Sequence, residues 1–508
     1  MIFHAVTIYI PLTGDRTLDL NLVVLSTFFA ALATLMLYFK GYSLKSFLQL
    51  ALSSLLYLMI GLEALAFIKW SSYPLWMTRM YSEPTWMPAE VEMKLFYALG
   101  SLAPLLMLLV LVSWPVVFIN SAGRGKPLFH VSSSLRWRDP KVVALLASAS
   151  VIAALLTLYP YHPSLNPHGY RVSVDLYFYN QWLSEMLGKP PLEALNYALR
   201  EVQGGSRPLH LILLYLAAKA TSASSELVSR AQLTFLAVFF VLSTYLLARE
   251  LFRDELNAAL AALISSCSFN LTVGMYAGFA SHWLALSMLF ITLTLYLKAD
   301  SRNLYLCLAA LLSVALHFTY VWAWSGLMAI LVAHEAIGAI YRKECSSRPL
   351  HKLVLMLAAG LTANAVKSVF LASIGSVEAS TKLVQDSFSL VNPYENLVRS
   401  VTYYLMGCYI NTPLLAFTLM GALLLTPRDE GHRLILSILI PVSVAALLSH
   451  YALHAHILFN LPVPFLTVRA FEWLKAKSSC LAKLFLVWLL LVDLNYAIRL
   501  MASLTAYF

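Results

Sequence analysis

Long apolar runs, each bounded by charged residues, recur through the whole chain and constrain its fold more than any other feature. Most have close to the ~20 residues that an α-helix needs to cross the hydrocarbon core of a membrane. Of the 508 residues, 60% are hydrophobic and only 12% are charged. That composition excludes a soluble protein with a fully water-facing surface. The sequence therefore predicts an all-α, polytopic membrane helical bundle.

Reading the apolar residues between charged ones predicts about fourteen membrane spans. They lie near residues 18–39, 47–68, 95–119, 142–159, 231–248, 256–273, 281–297, 304–320, 322–341, 353–373, 401–425, 433–450, 455–473 and 483–502. The first three precede a strongly basic loop, which predicts an N-terminal membrane module of about three helices at 1–139. Residues 140–508 then form the main membrane core, with a large loop at 160–230.

The basic residues set the predicted orientation, because Lys and Arg collect in loops on the cytoplasmic side. The loop "SAGRGKPLFHVSSSLRWRDPK" is rich in them, so we expect it to be cytoplasmic. Counting the predicted spans onward from this loop places the later basic loops on the same side. It places the 160–230 loop and both ends of the chain outside, provided that residues 207–220 do not cross. That segment has about fourteen residues, which suit a helix in the membrane interface better than a crossing.

The formal net charge of +10 follows from these loops, and no basic groove with interleaved aromatics forms. We therefore expect membrane lipid around the protein and no nucleic-acid partner. The five cysteines form no CxxC pair. His317, His454 and His456 lack the spacing of zinc ligands on one helix face, so these residues predict no metal site.

The stretch "YRVSVDLYFYNQWLSEM" places one acid, Asp175, among aromatic residues between two long apolar runs. A partly buried carboxylate suits a general base, which takes a proton from an attacking nucleophile. The alternative is that Asp175 only caps the helix that begins after it. Four aromatic residues follow: Tyr177, Phe178, Tyr179 and Trp182. Their rings either stack on a sugar or an isoprenoid, or form an aromatic belt at the water boundary.

Several segments together resemble the GT-C superfamily of integral membrane glycosyltransferases. "VDLYFYNQWL" is similar to the family's acid followed by aromatics in the first outer loop, and "SRPLHLILLYLAAKA" to its interfacial helix. "ELVSRAQLTFLAVFFVLSTYLLARELF" is similar to the second core span, with Arg230 at its outer start. "MYAGFASHWLALSMLFITLTLYLKA" follows as the later spans do. The resemblance covers roughly 140–502 and implies a GT-C-like core with interfacial helices in the large first outer loop.

The resemblance implies an enzyme that moves a sugar from a polyprenyl-phosphate-linked donor to an acceptor on the outer face of the membrane. Asp175 is then the general base, and Arg230 is the cation that binds the donor phosphate. The other candidate substrate-binding residues are Arg207, His210, His282, Lys367, Tyr177, Tyr179 and Trp182. The donor is a substrate and not a cofactor, the acceptor is an unspecified glycan, lipid or protein, and the location is a prokaryotic plasma membrane.

Other interpretations of these residues stay open. The cations Arg230, Arg207 and Lys367 can be anchors at the membrane interface, and His282 can be a solvated polar residue. Many GT-C members carry a second acid in the outer turn after "YA", where this chain has Ser281 and His282. Without that second acid, the sequence does not support a requirement for a divalent metal. The difference also keeps two alternatives open: a transporter or flippase of lipid-linked sugars, and a noncatalytic membrane subunit. The sequence has no internal repeat of the kind that transporters often show.

Overall fold

The computed structural model describes residues 139–169, 171–341, 347–371, 412–449 and 453–504. Within these ranges every regular element is helical and no strand occurs, which agrees with the predicted all-α class. The three predicted spans of the N-terminal module lie outside the described residues. Much of the predicted span at 401–425, and the loop before it, also lie outside the described residues.

Sixteen α-helices follow one another in the described chain. They are α1 (Pro140–Leu158), α2 (Leu176–Leu187), α3 (Pro191–Asn196), α4 (Pro208–Thr221), α5 (Ser225–Phe252), α6 (Glu255–Ser265), α7 (Phe269–Ala277), α8 (Ala280–Lys298), α9 (Asn303–Thr319), α10 (Val321–Tyr341), α11 (Ser347–Leu371), α12 (Thr412–Leu423), α13 (Glu430–Leu448), α14 (His454–Leu458), α15 (Val463–Lys477) and α16 (Ser479–Leu504). Short 3-10 and π-helical turns extend α1 to Tyr161 and fill the segment between α3 and Gly204.

Five stretches of the described chain are long and apolar enough to cross a membrane: Pro140–Tyr161, Ser225–Phe252, Glu255–Ala277, Ala280–Lys298 and Val321–Tyr341. They are consistent with a multi-pass membrane protein, while the total of fourteen spans stays a prediction. Helices α4 and α9 are apolar but shorter, with 14 and 17 residues. At 1.5 Å per residue, α4 extends about 21 Å, less than the ~30 Å of a hydrocarbon core.

Two predicted spans contain a helix break. The span at 256–273 consists of α6 and α7, because α6 ends at Ser265 and α7 begins only at Phe269. Ser265 and Ser266 turn their hydroxyls back onto carbonyls of the preceding turn, a local bond that competes with a straight helix. The span at 455–473 consists of α14 and α15, separated at Pro462, where the helix restarts.

Polar caps fix the starts of several helices. The side chain of Ser224 accepts a hydrogen bond from the Leu227 amide at the start of α5. Asp254 and Asp429 do the same for α6 and α13. Each cap satisfies amide groups that have no partner inside the helix. These caps set where the short connections end and the apolar helices begin.

Helix α5 packs against α1, α6 and α8, and α9 packs against α8, α10 and α11. The residues of α6 from Asn257 to Ser265 are all buried, so other helices surround it. Glycine permits two close approaches between helices: a Cβ on Gly421 of α12 would overlap the Leu466 carbonyl of α15. A Cβ on Gly431 of α13 would overlap the carbonyl of Leu251 in α5. This frame supports the turn between α7 and α8, against which the segment containing Asp175 lies.

Candidate functional site

The backbone before α2 is tied to the end of α7. The amides of Val174 and Asp175 donate to the carbonyls of Tyr276 and Ala277 at 3.2 and 3.1 Å. The hydroxyl of Ser173 donates to the carbonyl of Met275 at 2.6 Å. These bonds place Asp175 beside the α7–α8 turn even though the two segments lie about a hundred positions apart in the sequence.

Gly278 makes this approach sterically feasible. It adopts a left-handed φ of +71°, and a Cβ there would lie 3.1 Å from the Asp175 amide nitrogen. A larger residue would be strained by the backbone angle and would crowd the acid's main chain. The turn therefore holds Asp175 through a backbone contact that a side chain at position 278 would disturb.

The Asp175 side chain does not act as a helix cap. It stands at the cap position of α2 but accepts no hydrogen bond from the first turn of that helix, as far as the described residues go. Burial raises the pKa of Asp175 above its ordinary value of 3.8, and the positive charge of Arg207 acts in the opposite direction. A partly buried carboxylate with a raised pKa has the chemistry of a proton acceptor.

Arg207 is held by polar and aromatic groups around it. Its Nη1 donates to the Tyr179 hydroxyl at 2.9 Å, and its Nη2 donates to the Gln203 side-chain oxygen at 2.8 Å. The guanidinium also lies over the rings of Tyr179 and Trp182, 5.7 and 5.5 Å from their centres. These contacts fix the orientation of the cation that acts on Asp175.

The Tyr179 hydroxyl connects Arg207 to the interior. It donates to the Ser281 hydroxyl at 2.8 Å and accepts from the Ser281 amide at 3.0 Å. The Ser281 hydroxyl lies 2.7 Å from Nδ1 of the buried His210. Because the Tyr179 hydroxyl donates its proton to Ser281, the Ser281 hydroxyl can donate its own proton to His210. The result is a directed chain of hydrogen bonds from Arg207 through Tyr179 and Ser281 to His210.

A second group of rings, which we call the histidine cluster, consists of Phe279, His282, Tyr320, His456 and Phe459. His282 stacks on Tyr320 with ring centres 4.8 Å apart, and His456 stacks on Phe279 at 4.1 Å. The Tyr320 hydroxyl lies 3.2 Å from Nδ1 of His456. His282 directly follows Ser281, whose hydroxyl bonds to Tyr179, so this cluster adjoins the Arg207 group.

One interpretation of the sequence made His282 a solvated polar residue, and the structure shows that this is wrong. His282 is 3% exposed, and its Nε2 lies 3.1 Å from the side-chain oxygen of Asn460. Because that oxygen can only accept, Nε2 carries the ring proton and Nδ1 is an acceptor. Nδ1 finds no partner within the described chain.

The remaining aromatic candidates lie at the edge of the site. Tyr177 and Phe178 are exposed, and the guanidinium of Arg171 lies over the Tyr177 ring. Phe178 stacks on Trp182 with ring centres 5.8 Å apart. Trp182 thus joins the exposed rings to Arg207.

Arg230 and Lys367 contact other groups. The Arg230 guanidinium donates to the Gly169 carbonyl and to the Glu226 carboxylate and lies over the Tyr161 ring. These bonds tie the loop before α2 to the start of α5. Lys367 of α11 lies over the Phe318 ring of α9. The structure thus brings Asp175 together with Arg207, Tyr179, His210 and His282, and it gives Arg230 and Lys367 separate surroundings.

Sequence patterns did not identify four residues that complete the site: Gln203, Tyr320, His456 and Asn460. Each lies next to a helix break or a short turn of the structure, which hydropathy does not register. Within the described residues no three His, Cys, Asp or Glu side chains are placed to hold a metal ion. No protein-family model matches the chain, and no curated protein is significantly similar to it.

Proposed function

We propose that this protein is a membrane glycosyltransferase that uses a polyprenyl-phosphate-linked sugar donor, with Asp175 as its general base. The observation that carries the proposal is the environment of Asp175: a partly buried carboxylate, free of helix capping, on which the positive charge of Arg207 acts. Carboxylates whose pKa is shifted by burial and by a specific charge cluster at functional sites.

The proposed transfer needs one group to take a proton and one to stabilise a leaving phosphate. As the acceptor oxygen attacks the anomeric carbon, its proton passes to the Asp175 carboxylate. The bond between the anomeric carbon and the phosphate oxygen breaks, and the phosphate leaves with the electron pair. Arg207 is placed to stabilise the negative charge of that phosphate through charge-assisted hydrogen bonds.

The chain of hydrogen bonds through Tyr179 supports this assignment of Arg207. A guanidinium that is already oriented loses little freedom when it binds phosphate. The exposed rings of Tyr177 and Phe178 next to Trp182 offer flat apolar surfaces for a sugar face or an isoprenoid chain. We place the reaction on the outer face of a prokaryotic plasma membrane, in keeping with the predicted orientation of the 160–230 loop.

Arg230 takes a different part in this proposal from the one that its position in the sequence suggested. Its bonds to Glu226 and to the Gly169 carbonyl hold the loop that leads to Asp175. It therefore supports the site, while Arg207 is the cation that acts at the acid.

A transfer assay in liposomes tests the proposal. The full chain is reconstituted with a radiolabelled polyprenyl-phosphate sugar and a membrane extract as the source of acceptors. Asp175→Asn keeps the shape of the side chain but cannot accept the proton, so we expect labelled product to fall by about 10² or more. Glu193→Gln removes an exposed acid and is expected to leave the rate unchanged.

The same liposomes separate the two alternatives. A flippase would redistribute the labelled donor between leaflets equally well in the wild type and the Asp175→Asn variant, without forming product. A noncatalytic subunit would do neither. Product formation by the Asn variant at the wild-type rate would refute the assignment of Asp175.

A further inference from the structure

Away from Asp175, three helices bring together buried polar groups that have no hydrogen-bond partner in the residues that the structure describes. His317 of α9 is 0% exposed, and neither of its ring nitrogens has a hydrogen-bond partner in the described part of the chain. The same holds for the Ser313 hydroxyl, which is also fully buried and lies one turn earlier on the same face of α9. A buried polar group left without a partner is costly, so such a group points to a ligand or a water.

Trp324 of α10 faces the same place. Its ring centre lies 4.8 Å from that of His317, at 69°, and its indole Nε1 is buried without a partner among the described residues. Gly360 of α11 permits this position, because a Cβ there would overlap the indole. The glycine thus lets α11 approach a tryptophan whose only polar atom is a donor.

Lys367 adds a positive charge two turns along α11 from Gly360. Its Nζ lies 6.0 Å from the centre of the ring of Phe318, the residue that follows His317. In the described ranges of the chain, Lys367 forms no ion pair. Lysine and the tryptophan indole can only donate hydrogen bonds. The ligand that satisfies this set of groups must therefore be rich in acceptors and negatively charged.

The surface around Lys367 indicates where such an anion comes from. On α11 the apolar side chains of Leu361, Val366 and Val369 are 61%, 45% and 76% exposed. An ammonium among exposed apolar side chains in a membrane protein is costly unless it meets an anion or reaches the interface. An amphiphile with an anionic head and apolar chains satisfies both kinds of surface.

We propose that Lys367, Trp324, His317 and Ser313 form a site for the phosphate group of a membrane lipid, between α9, α10 and α11. The phosphate accepts hydrogen bonds from the ammonium and the indole, and from the imidazole and the hydroxyl once they turn a proton toward it. The acyl or isoprenoid chains lie along the exposed apolar side of α11. This site does not depend on the proposed sugar transfer.

Native mass spectrometry of the purified full chain measures this binding. Three probes are titrated separately: phosphatidic acid, a polyprenyl monophosphate, and diacylglycerol, which has chains but no phosphate. We expect at least one phosphate lipid to bind with about tenfold or higher affinity than diacylglycerol. Binding of both phosphate lipids indicates a general lipid headgroup site, and binding of the polyprenyl monophosphate alone indicates a site for an isoprenoid carrier.

Variants decide whether the site is the one described. Lys367→Gln is expected to weaken phosphate-lipid binding about tenfold or more, and Lys367→Arg to retain most of it. Trp324→Phe keeps an aromatic ring but loses the pyrrole ring with its N–H, and should weaken binding about threefold. Lys219→Gln removes the same charge from an exposed position and is expected to change nothing. The proposal fails if Lys367→Gln binds as the wild type does, or if diacylglycerol binds as tightly as the phosphate lipids.

The outcome is independent of the transfer assay. Asp175→Asn is expected to leave lipid binding at the α9–α11 site unchanged, and loss of that binding would leave the role of Asp175 untouched. Thermal unfolding of each variant shows whether a loss of binding reflects loss of the fold. Trp324→Phe keeps an aromatic ring and Lys367→Arg keeps the positive charge, so they test the site even if His317 tolerates no change.

Discussion

The Nη1 group of Arg207 donates a hydrogen bond of 2.9 Å to the hydroxyl of Tyr179. Tyr179 belongs to α2, whose first residue follows Asp175, and Arg207 directly precedes α4. One bond therefore fixes the cation relative to the helix that begins at the acid. The same hydroxyl reaches Ser281 of α8, so the three helices share one hydrogen-bonded centre.

Removing that hydroxyl tests the centre. Tyr179→Phe leaves Arg207 and Ser281 each short of a partner, and we expect a loss of about 1–3 kcal/mol in the free energy of unfolding. The transfer rate should fall about tenfold, chiefly through a higher KM for the donor, because Arg207 loses its orientation. Tyr215→Phe is the matched control: its hydroxyl is buried without a partner among the described residues. Equal effects in the two variants would contradict a special role for Tyr179.

The pH dependence of transfer follows from the pKa of Asp175. Burial raises this pKa above 3.8, and the charge of Arg207 opposes the rise. A general base works when deprotonated, so kcat/KM should increase with pH and level off above the raised pKa. Arg207→Gln removes the opposing charge, and the rising limb should move to higher pH. Arg302→Gln, at an exposed position, should leave the limb in place. If the rising part of the pH profile does not move in Arg207→Gln, the charge of Arg207 does not act on the pKa of Asp175.

The same raised pKa predicts how stability depends on pH. Between 3.8 and its folded-state pKa, Asp175 binds more protons in the folded than in the unfolded protein. The free energy of unfolding therefore falls as pH rises through that window. Asp175→Asn removes this loss, so the variant should gain more in Tm at pH 7 than at pH 4. Thermal unfolding at the two pH values measures the difference, with Glu193→Gln as the control. A variant that is less stable than the wild type at pH 7 would argue that Asp175 is structural.

The sequence located several helices of the core closely. Predicted spans at 142–159, 281–297 and 322–341 correspond to α1, α8 and α10, each within two residues. Their apolar runs end at charges or at turns, and these features are visible without a structure. The breaks inside 256–273 and 455–473 were missed, because hydropathy averages over a segment and does not register a local interruption. Pro462 and Pro464 stand at the second break, where proline cannot continue the preceding helix.

The site was only partly predictable for a different reason. Asp175, Tyr179 and Arg207 lie near one another in the sequence, and an acid among aromatic residues is unusual in an apolar chain. The contacts that organise them come from far away: Ser281 lies 102 positions from Tyr179. Asn460 lies 178 positions from His282. Such contacts follow from helix packing, which no local pattern specifies.

The close contact between α12 and α15 predicts a large effect at one glycine. A Cβ on Gly421 would overlap the backbone carbonyl of Leu466, and a backbone cannot move aside as a side chain can. We expect Gly421→Ala to cost about 1–3 kcal/mol in the free energy of unfolding. Gly326→Ala in α10 is the control, since a Cβ there meets nothing within 4 Å and should stabilise the helix by about 0.5–1 kcal/mol. Urea or thermal unfolding in detergent compares the two, and equal stability would mean that α12 and α15 do not pack this closely.

The predicted orientation of the chain depends on α4 not crossing the membrane, and native Cys480 can test it. Cys480 is exposed at the start of α16, in a segment rich in lysine that the charge pattern places in the cytoplasm. In a variant that keeps only this cysteine, a membrane-impermeant maleimide should label it only after the cells are permeabilised. Leu192→Cys, at a position 80% exposed in the 160–230 loop, should be labelled in intact cells. Labelling of both positions from outside would mean that α4 crosses, and the loops after it would then face the opposite side.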